Sequence, residues 1–186
     1  IAMHLSGIAT KTASLVTKLE GTGVRLVDTR KTTPGLRIFE KYAVRCGGGI
    51  NHRLGLDDAA MLKENHLAWA GGIKHAIHAV RENSPWPSKI IVEAETPKQA
   101  KEAVQAGADG ILLDEISLEV LLLLVPELRH LEAERSIHKR ANRIVLEASG
   151  VNPLDLSDYA KTGVDLISSS ASITKSSWAD FSMRFD

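Results

Sequence analysis

The chain has 186 residues, 44% of them hydrophobic, which is enough to bury a substantial core in one domain. Lys plus Arg and Asp plus Glu both total 23, a balance that argues against an electrostatic footprint for nucleic acid or an anionic membrane. The single cysteine, Cys46, cannot close an internal disulfide and points to a reducing compartment.

Residues 1–8 carry neither a basic segment nor a long apolar run, so they do not read as a signal peptide. They begin mid-pattern without an initiator methionine, and further sequence is expected upstream. Residues 24–27 (Val-Arg-Leu-Val) read as a buried strand, with Asp28, Arg30 and Lys31 directly behind it. The next stretch reads as a helix with Arg37, Lys41 and Arg45 four apart. That spacing predicts a stripe facing solvent or a subunit, with Leu36, Phe39 and Ala43 on the buried side. Gly47, Gly48 and Gly49 end this helix as a cap and tight loop.

A weaker strand at 59–62 leads into Lys63, Glu64, Asn65 and His66, and the last of these is expected to orient its loop. His75 and His78 lie three apart on a helix without a third ligand nearby, so they read as a solvated face. Residues 89–94 form the next strand, followed by Glu95. Thr96 is placed as N-cap, Pro97 at the first helical position and Gly107 as the stop. A strand at 110–113 gives way to Asp114 and Glu115. Ser117 then opens a helix with Leu118, Leu121, Leu122 and Val125 on one face. The apolar run 120–125 is too short to span a membrane and meets Pro126. Strands at 143–146 and 164–167 flank a helix near 154–161 that ends at Gly163.

Apolar strands alternating with helices imply α/β architecture with a parallel sheet covered on both faces. The count suits an incomplete, six- or seven-stranded parallel β/α barrel related to the TIM barrel, with a doubly wound sheet as the alternative. No Gly-x-Gly-x-x-Gly turn follows a strand to favour the latter. Chemistry in a parallel barrel gathers at the carboxyl ends of the strands. The strand exits sort by sign: Arg30, Lys31 and Lys63 first, then Glu93, Glu95, Asp114 and Glu115, then Glu147, Ser149, Gly150 and Ser168, Ser169, Ser170. Cations, acids and small hydroxyl or glycine positions around one mouth fit a polyanionic, metal-bound phosphate ester.

The strings DTRKTTPGLRIFEKYAVRCGGGINHRLGL, MLKENH, VEAE, ILLDE, EASG and GVDLISSS, in that order, closely resemble quinolinate phosphoribosyltransferase, the nicotinate-nucleotide pyrophosphorylase of NAD biosynthesis. The resemblance implies a cytoplasmic enzyme that joins quinolinate to phosphoribosyl pyrophosphate with Mg²⁺, releasing nicotinate mononucleotide, pyrophosphate and carbon dioxide. It implies that Arg30, His52, Arg53 and Lys63 bind the quinolinate carboxylates, and that Lys31 lies near the phosphoribosyl substrate. Glu93 and Asp114 match the acidic positions around ribose and metal, partly through water, and Lys31, Glu93 and Asp114 form the catalytic set. Ser149 and Gly150 match one loop for the 5′-phosphate, and Ser168, Ser169 and Ser170 match the other.

The family pattern further implies a homodimer or higher homo-oligomer, and an N-terminal α/β domain of roughly a hundred residues, an ordinary domain size. That domain covers the partner's barrel mouth and is not in this chain. On this pattern residues 1–20 enter the barrel and 21–186 form it. The mouth would then lie open and one carboxylate clamp would be lost. Three positions depart from the pattern: Val151 and Ser170 stand where many relatives have Gly, and Lys175 where many have His. A Cβ in a phosphate loop threatens close backbone approach. The competing readings are a noncatalytic binder of phosphate ligands and a relative on the same barrel with another acceptor, which the complete Arg30, His52, Arg53, Lys63 set disfavours.

Overall fold

The structure, a computed structural model, describes residues 1–138 and 143–184. Six strands, all parallel, form its sheet: β1 Arg25–Val27, β2 Ala60–Leu62, β3 Ile90–Ala94, β4 Gly110–Asp114, β5 Val145–Ser149 and β6 Leu166–Ser168. Their order is β1-β6-β5-β4-β3-β2. Each strand from β2 to β6 adds on the same side, and β1 then pairs with β6. A doubly wound sheet instead reverses direction at a switch point, so this order is that of a barrel left open between β1 and β2. Ile50 lies in the gap: it bridges Val27, donating to the Leu26 carbonyl and accepting from the Asp28 N–H. It marks where a seventh strand would begin.

Helices cover the sheet: α1 Ala2–Val16, α2 Arg37–Cys46, α3 Glu64–Ala70, α4 Ile73–Asn83, α5 Pro97–Ala106, α6 Leu118–His138, α7 Leu156–Tyr159 and α8 Ala171–Thr174. α5 begins as its residues dictate, with the Thr96 hydroxyl accepting from the Gln99 N–H and Pro97 at the first turn; Gly107, at φ +91°, ends it. The main core joins Val92, Ile111, Leu113, Leu146 and Ile167 from the strands to Leu121, Leu124 and Leu128 from α6. α1 packs on α2 and α8, where Ile8, Ala43, Val44 and Ile173 form a second, smaller cluster.

Expectations for two helices and one strand need correction. The buried face of α6 is Leu121, Leu124, Val125 and Leu128, while Leu122 is exposed, and the helix continues through Pro126. β5 starts later than expected, so Glu147 and Ser149 belong to the strand itself rather than to the loop after it. The basic stripe of α2 is fully solvated only at Arg45: Lys41 is buried and ion-paired with Asp28, and the half-buried Arg37 bonds to Thr32, Arg30 and Leu54. Phe39, expected inside, is exposed together with Ile38 and Tyr42. Helical spacing places residues on a common face, but buried partners far along the chain decide which face turns inward.

Candidate active site

The carboxyl ends of the strands open onto a cavity of about 400 Å³. Thr29, Arg30 and Lys31 reach it from behind β1, His52 and Arg53 from the segment in the barrel gap, and Met61 and Lys63 from β2. The neighbouring strands supply Glu93, Leu112, Asp114, Glu147, Ser149 and Ser168. Around the ring, the cations therefore occupy an arc from β1 through the gap to β2, and the acids occupy β3, β4 and β5 opposite. Register explains the acidic arc: Glu93 aligns with Leu112, Leu112 with Glu147, and Asp114 with Ser149, so alternate residues of adjacent strands share the inner face.

Buried polar bonds hold the basic arc in shape. The Asp28 carboxylate accepts from the Lys41 ammonium, from the Asn51 side-chain amide at 2.6 Å and from the His52 N–H at 2.8 Å. Lys41 also donates to the His52 carbonyl at 3.0 Å. The loop carrying Arg30 and Lys31 is tied to α2 by the Thr33 N–H, which donates to Glu40 at 2.8 Å, and by Arg37. Burial works to raise the Glu40 carboxyl, but bonds from Thr33 and His4 outweigh it and leave the group below its ordinary value. His66 accepts from the Lys63 N–H at 3.0 Å, the orienting role its position suggested.

The basic arc is under electrostatic stress. Burial, and after it the charge of Arg30, pushes the Arg53 guanidinium below its usual value, against the pull of Asp58 and Glu93. Arg53 donates to the Ala59 carbonyl at 2.8 Å, and the buried Nε of Arg30 has no partner. Two guanidiniums facing one cavity, one with an idle donor, are arranged to receive an anion. Lys63 is paired with Glu93 where the basic and acidic arcs meet.

Gly150, Ser169 and Ser170 do not line the cavity. The Ser169 N–H is committed to the Val27 carbonyl, and its hydroxyl accepts from the Ala171 N–H. The Ser170 carbonyl accepts from Ile173 and Thr174 as α8 begins. Gly150 has φ +77°, and a Cβ there would lie 2.9 Å from Cγ of Glu115, so glycine is required for backbone shape and close approach together. Val151, the departure expected to obstruct this loop, instead buries its side chain in the main core. Glu95 is exposed and outside the cavity, its N–H held by Gln99. His75 and His78 are exposed on α4, as their spacing suggested.

Glu147, which the sequence places at a strand exit without a role, lines the cavity. The signal for it was the alternation Val145, Glu147, Ser149, which becomes visible once the strand is read through to Ser149. As for metals, Glu93 and Asp114 share the cavity, yet no three His, Cys, Asp or Glu side chains cluster as a metal cage among the described residues. That donor set fits Mg²⁺, which takes one or two protein carboxylates and completes its shell with phosphate and water.

Residues 8–184 match the family model for quinolinate phosphoribosyl transferase, C-terminal domain. The chain is 45% identical over 186 residues to a probable carboxylating nicotinate-nucleotide pyrophosphorylase of Synechocystis, covering 99% of this chain and 60% of that protein. It is 40% identical over 168 residues to the carboxylating nicotinate-nucleotide pyrophosphorylase of Mycobacterium leprae, covering 90% of this chain and 56% of that one. The crystal structure of NadC from Streptococcus pyogenes superposes with a TM-score of 0.86 at 41% identity, over 98% of this chain and 60% of that chain. The chain thus spans about 60% of the length of these relatives. Among the described residues no helix is long and apolar enough to cross a membrane.

Proposed function

The chain belongs to the quinolinate phosphoribosyl transferase family, and on that premise we propose that its barrel mouth carries out phosphoribosyl transfer to quinolinate with decarboxylation. The observation that supports this most directly is the pair Arg30 and Arg53 facing one cavity, close enough to repel each other and with an idle donor. A planar pyridine dicarboxylate supplies two anions at a fixed separation, and guanidinium forks read that geometry better than ammonium groups. His52 and Lys63 complete the acceptor side.

Phosphoribosyl pyrophosphate would lie along the arc from Lys31 to Ser168 and Ser149. Lys31 would meet the negative charge that develops as pyrophosphate departs. Glu93 and Asp114 would face the ribose hydroxyls and the electron-poor ribosyl carbon. They would also hold Mg²⁺, partly through water, and the ion would neutralise pyrophosphate oxygens. Gly150 and the 168–170 segment shape the phosphate end, with the Ser149 and Ser168 side chains nearest the cavity. A cytoplasmic enzyme working as a homo-oligomer accords with this reading.

Calorimetric titration of the chain with quinolinate and with nicotinate tests the acceptor assignment. Quinolinate should bind more tightly, because its second carboxylate meets cations of its own; equal affinities would remove the argument. Adding Mg²⁺ and phosphoribosyl pyrophosphate should then yield nicotinate mononucleotide. Binding without product would instead favour a noncatalytic phosphate-ligand binder, and preference for another acceptor a different relative on this barrel.

A further inference from the structure

Behind the site lies a second cavity of about 370 Å³, the barrel lumen, lined by apolar side chains such as Ile91, Ile111 and Val145 and by charged ones such as Lys89, Asp109 and Arg143. It shares three residues with the site: His52, Arg53 and Glu147. The side chains of His52 and Glu147 are only 9% and 5% exposed, and Glu147 Oε2 stands 3.3 Å from His52 Nε2. Even so, neither His52 Nε2 nor Glu147 Oε1 has a hydrogen-bond partner. A buried carboxylate is costly unless it is paired and fully bonded.

The neighbours of His52 define its ring. Nδ1 accepts from the Arg53 N–H at 2.7 Å, so this pattern assigns the ring proton to Nε2, on the side of Glu147. Its backbone is pinned by Asp28 and Lys41. Glu147 therefore has a neutral donor as its nearest partner, and the cations that share its two cavities, Arg53 among them, leave its Oε1 unbonded.

We infer that Glu147 is a specificity-determining like charge, which weakens binding of the anionic acceptor in the ground state and favours the cationic ring formed by transfer. The inference rests on the acceptor assignment proposed above. In the transfer, the C1′–O bond to pyrophosphate breaks with its electron pair on the leaving oxygen, and the ring nitrogen's lone pair forms the C1′–N bond. The acceptor thereby gains one unit of positive charge. A fixed carboxylate facing it repels the dianion that enters and attracts the pyridinium that forms, so part of its effect appears only along the reaction. The Nε2–H of His52, left unbonded, stays available to an acceptor carboxylate.

The test is calorimetry and steady-state kinetics on wild type, Glu147→Gln and Glu147→Asp. The Gln variant should bind quinolinate about tenfold more tightly, roughly the effect of removing one like charge a few ångströms away in a partly screened site. Nicotinate, with one carboxylate fewer, should gain less. Turnover should fall while KM for quinolinate falls too, the signature of lost ground-state strain. Asp, which keeps the charge, should return affinity toward wild type. Unchanged or weaker quinolinate binding in Glu147→Gln overturns the inference while leaving the acceptor assignment standing. If wild type and both variants all ignore quinolinate, the acceptor assignment itself fails and the inference goes with it.

Discussion

The two ends of the barrel use the same residue types to opposite effect. At the amino end, three acids are bonded by the protein's own groups, although Arg135 Nε, buried near the end of α5, has no partner. Asp165 accepts from Arg129 at 2.6 Å, Arg143 at 2.6 Å and the Leu146 N–H at 2.8 Å. Asp109 accepts from Arg81 and the Ile90 N–H, and Glu132 from Arg129 and the Ile144 N–H. At the carboxyl end, Arg30 Nε, His52 Nε2 and Glu147 Oε1 are buried without partners. Charge whose bonds close among the protein's own groups stabilises the fold, whereas charge left open prepares the protein for something it has yet to bind.

Breaking the closed end should have the largest effect. Asp165→Ala leaves the Leu146 N–H unbonded and removes an acceptor from Arg129 and from Arg143, and should cost about 2 kcal/mol of stability, read as a lower denaturant midpoint, while quinolinate affinity of the folded fraction stays unchanged. A loss of affinity without a loss of stability would reverse the contrast between the ends.

Changing the open end should do the opposite. Arg53→Lys removes the planar fork and should weaken quinolinate binding about tenfold. Its stability should move by no more than about 0.5 kcal/mol, because the guanidinium it removes is already penalised by burial and by Arg30. Titration and thermal melts on the same sample check both halves.

Gly150→Ala sharpens the comparison, since it strains the backbone directly behind β5 at the open end. With φ at +77° and Glu115 close by, it should cost about 1 kcal/mol and weaken phosphoribosyl pyrophosphate binding by a few-fold. Wild-type melts with wild-type affinity would show that the loop yields.

The smallest effect is a pH dependence. The Glu40 carboxyl is held below its ordinary value of 4.5 in the folded state by its bonds from Thr33 and His4. Its contribution to stability is therefore complete above that value and drains away as pH falls through the lower, folded one. Glu40→Gln should flatten this acid limb of the stability curve; an unaltered limb would place the acid sensitivity elsewhere.

Much of this molecule is legible in its order of residues. Each β/α unit announces itself locally, as with Thr96, Pro97 and Gly107 around α5, and a chain of such units closes into a barrel whose strand ends carry the chemistry. Those ends place Arg30, Lys31, Lys63, Glu93, Asp114, Ser149 and Ser168 around one cavity, whereas His52 and Arg53, which reach it from the barrel gap, were marked only by the family resemblance.

Tertiary structure decided which polar groups lie inside and whether they are satisfied. Lys41 reads as a solvated cation until Asp28, 13 positions away, meets it in the interior. Glu147 reads as a loop acid until strand register turns it toward His52, 95 positions earlier in the chain. Secondary structure follows from neighbours a few residues apart, but the cost of burying a charge depends on what the fold brings beside it, and local sequence carries no record of that.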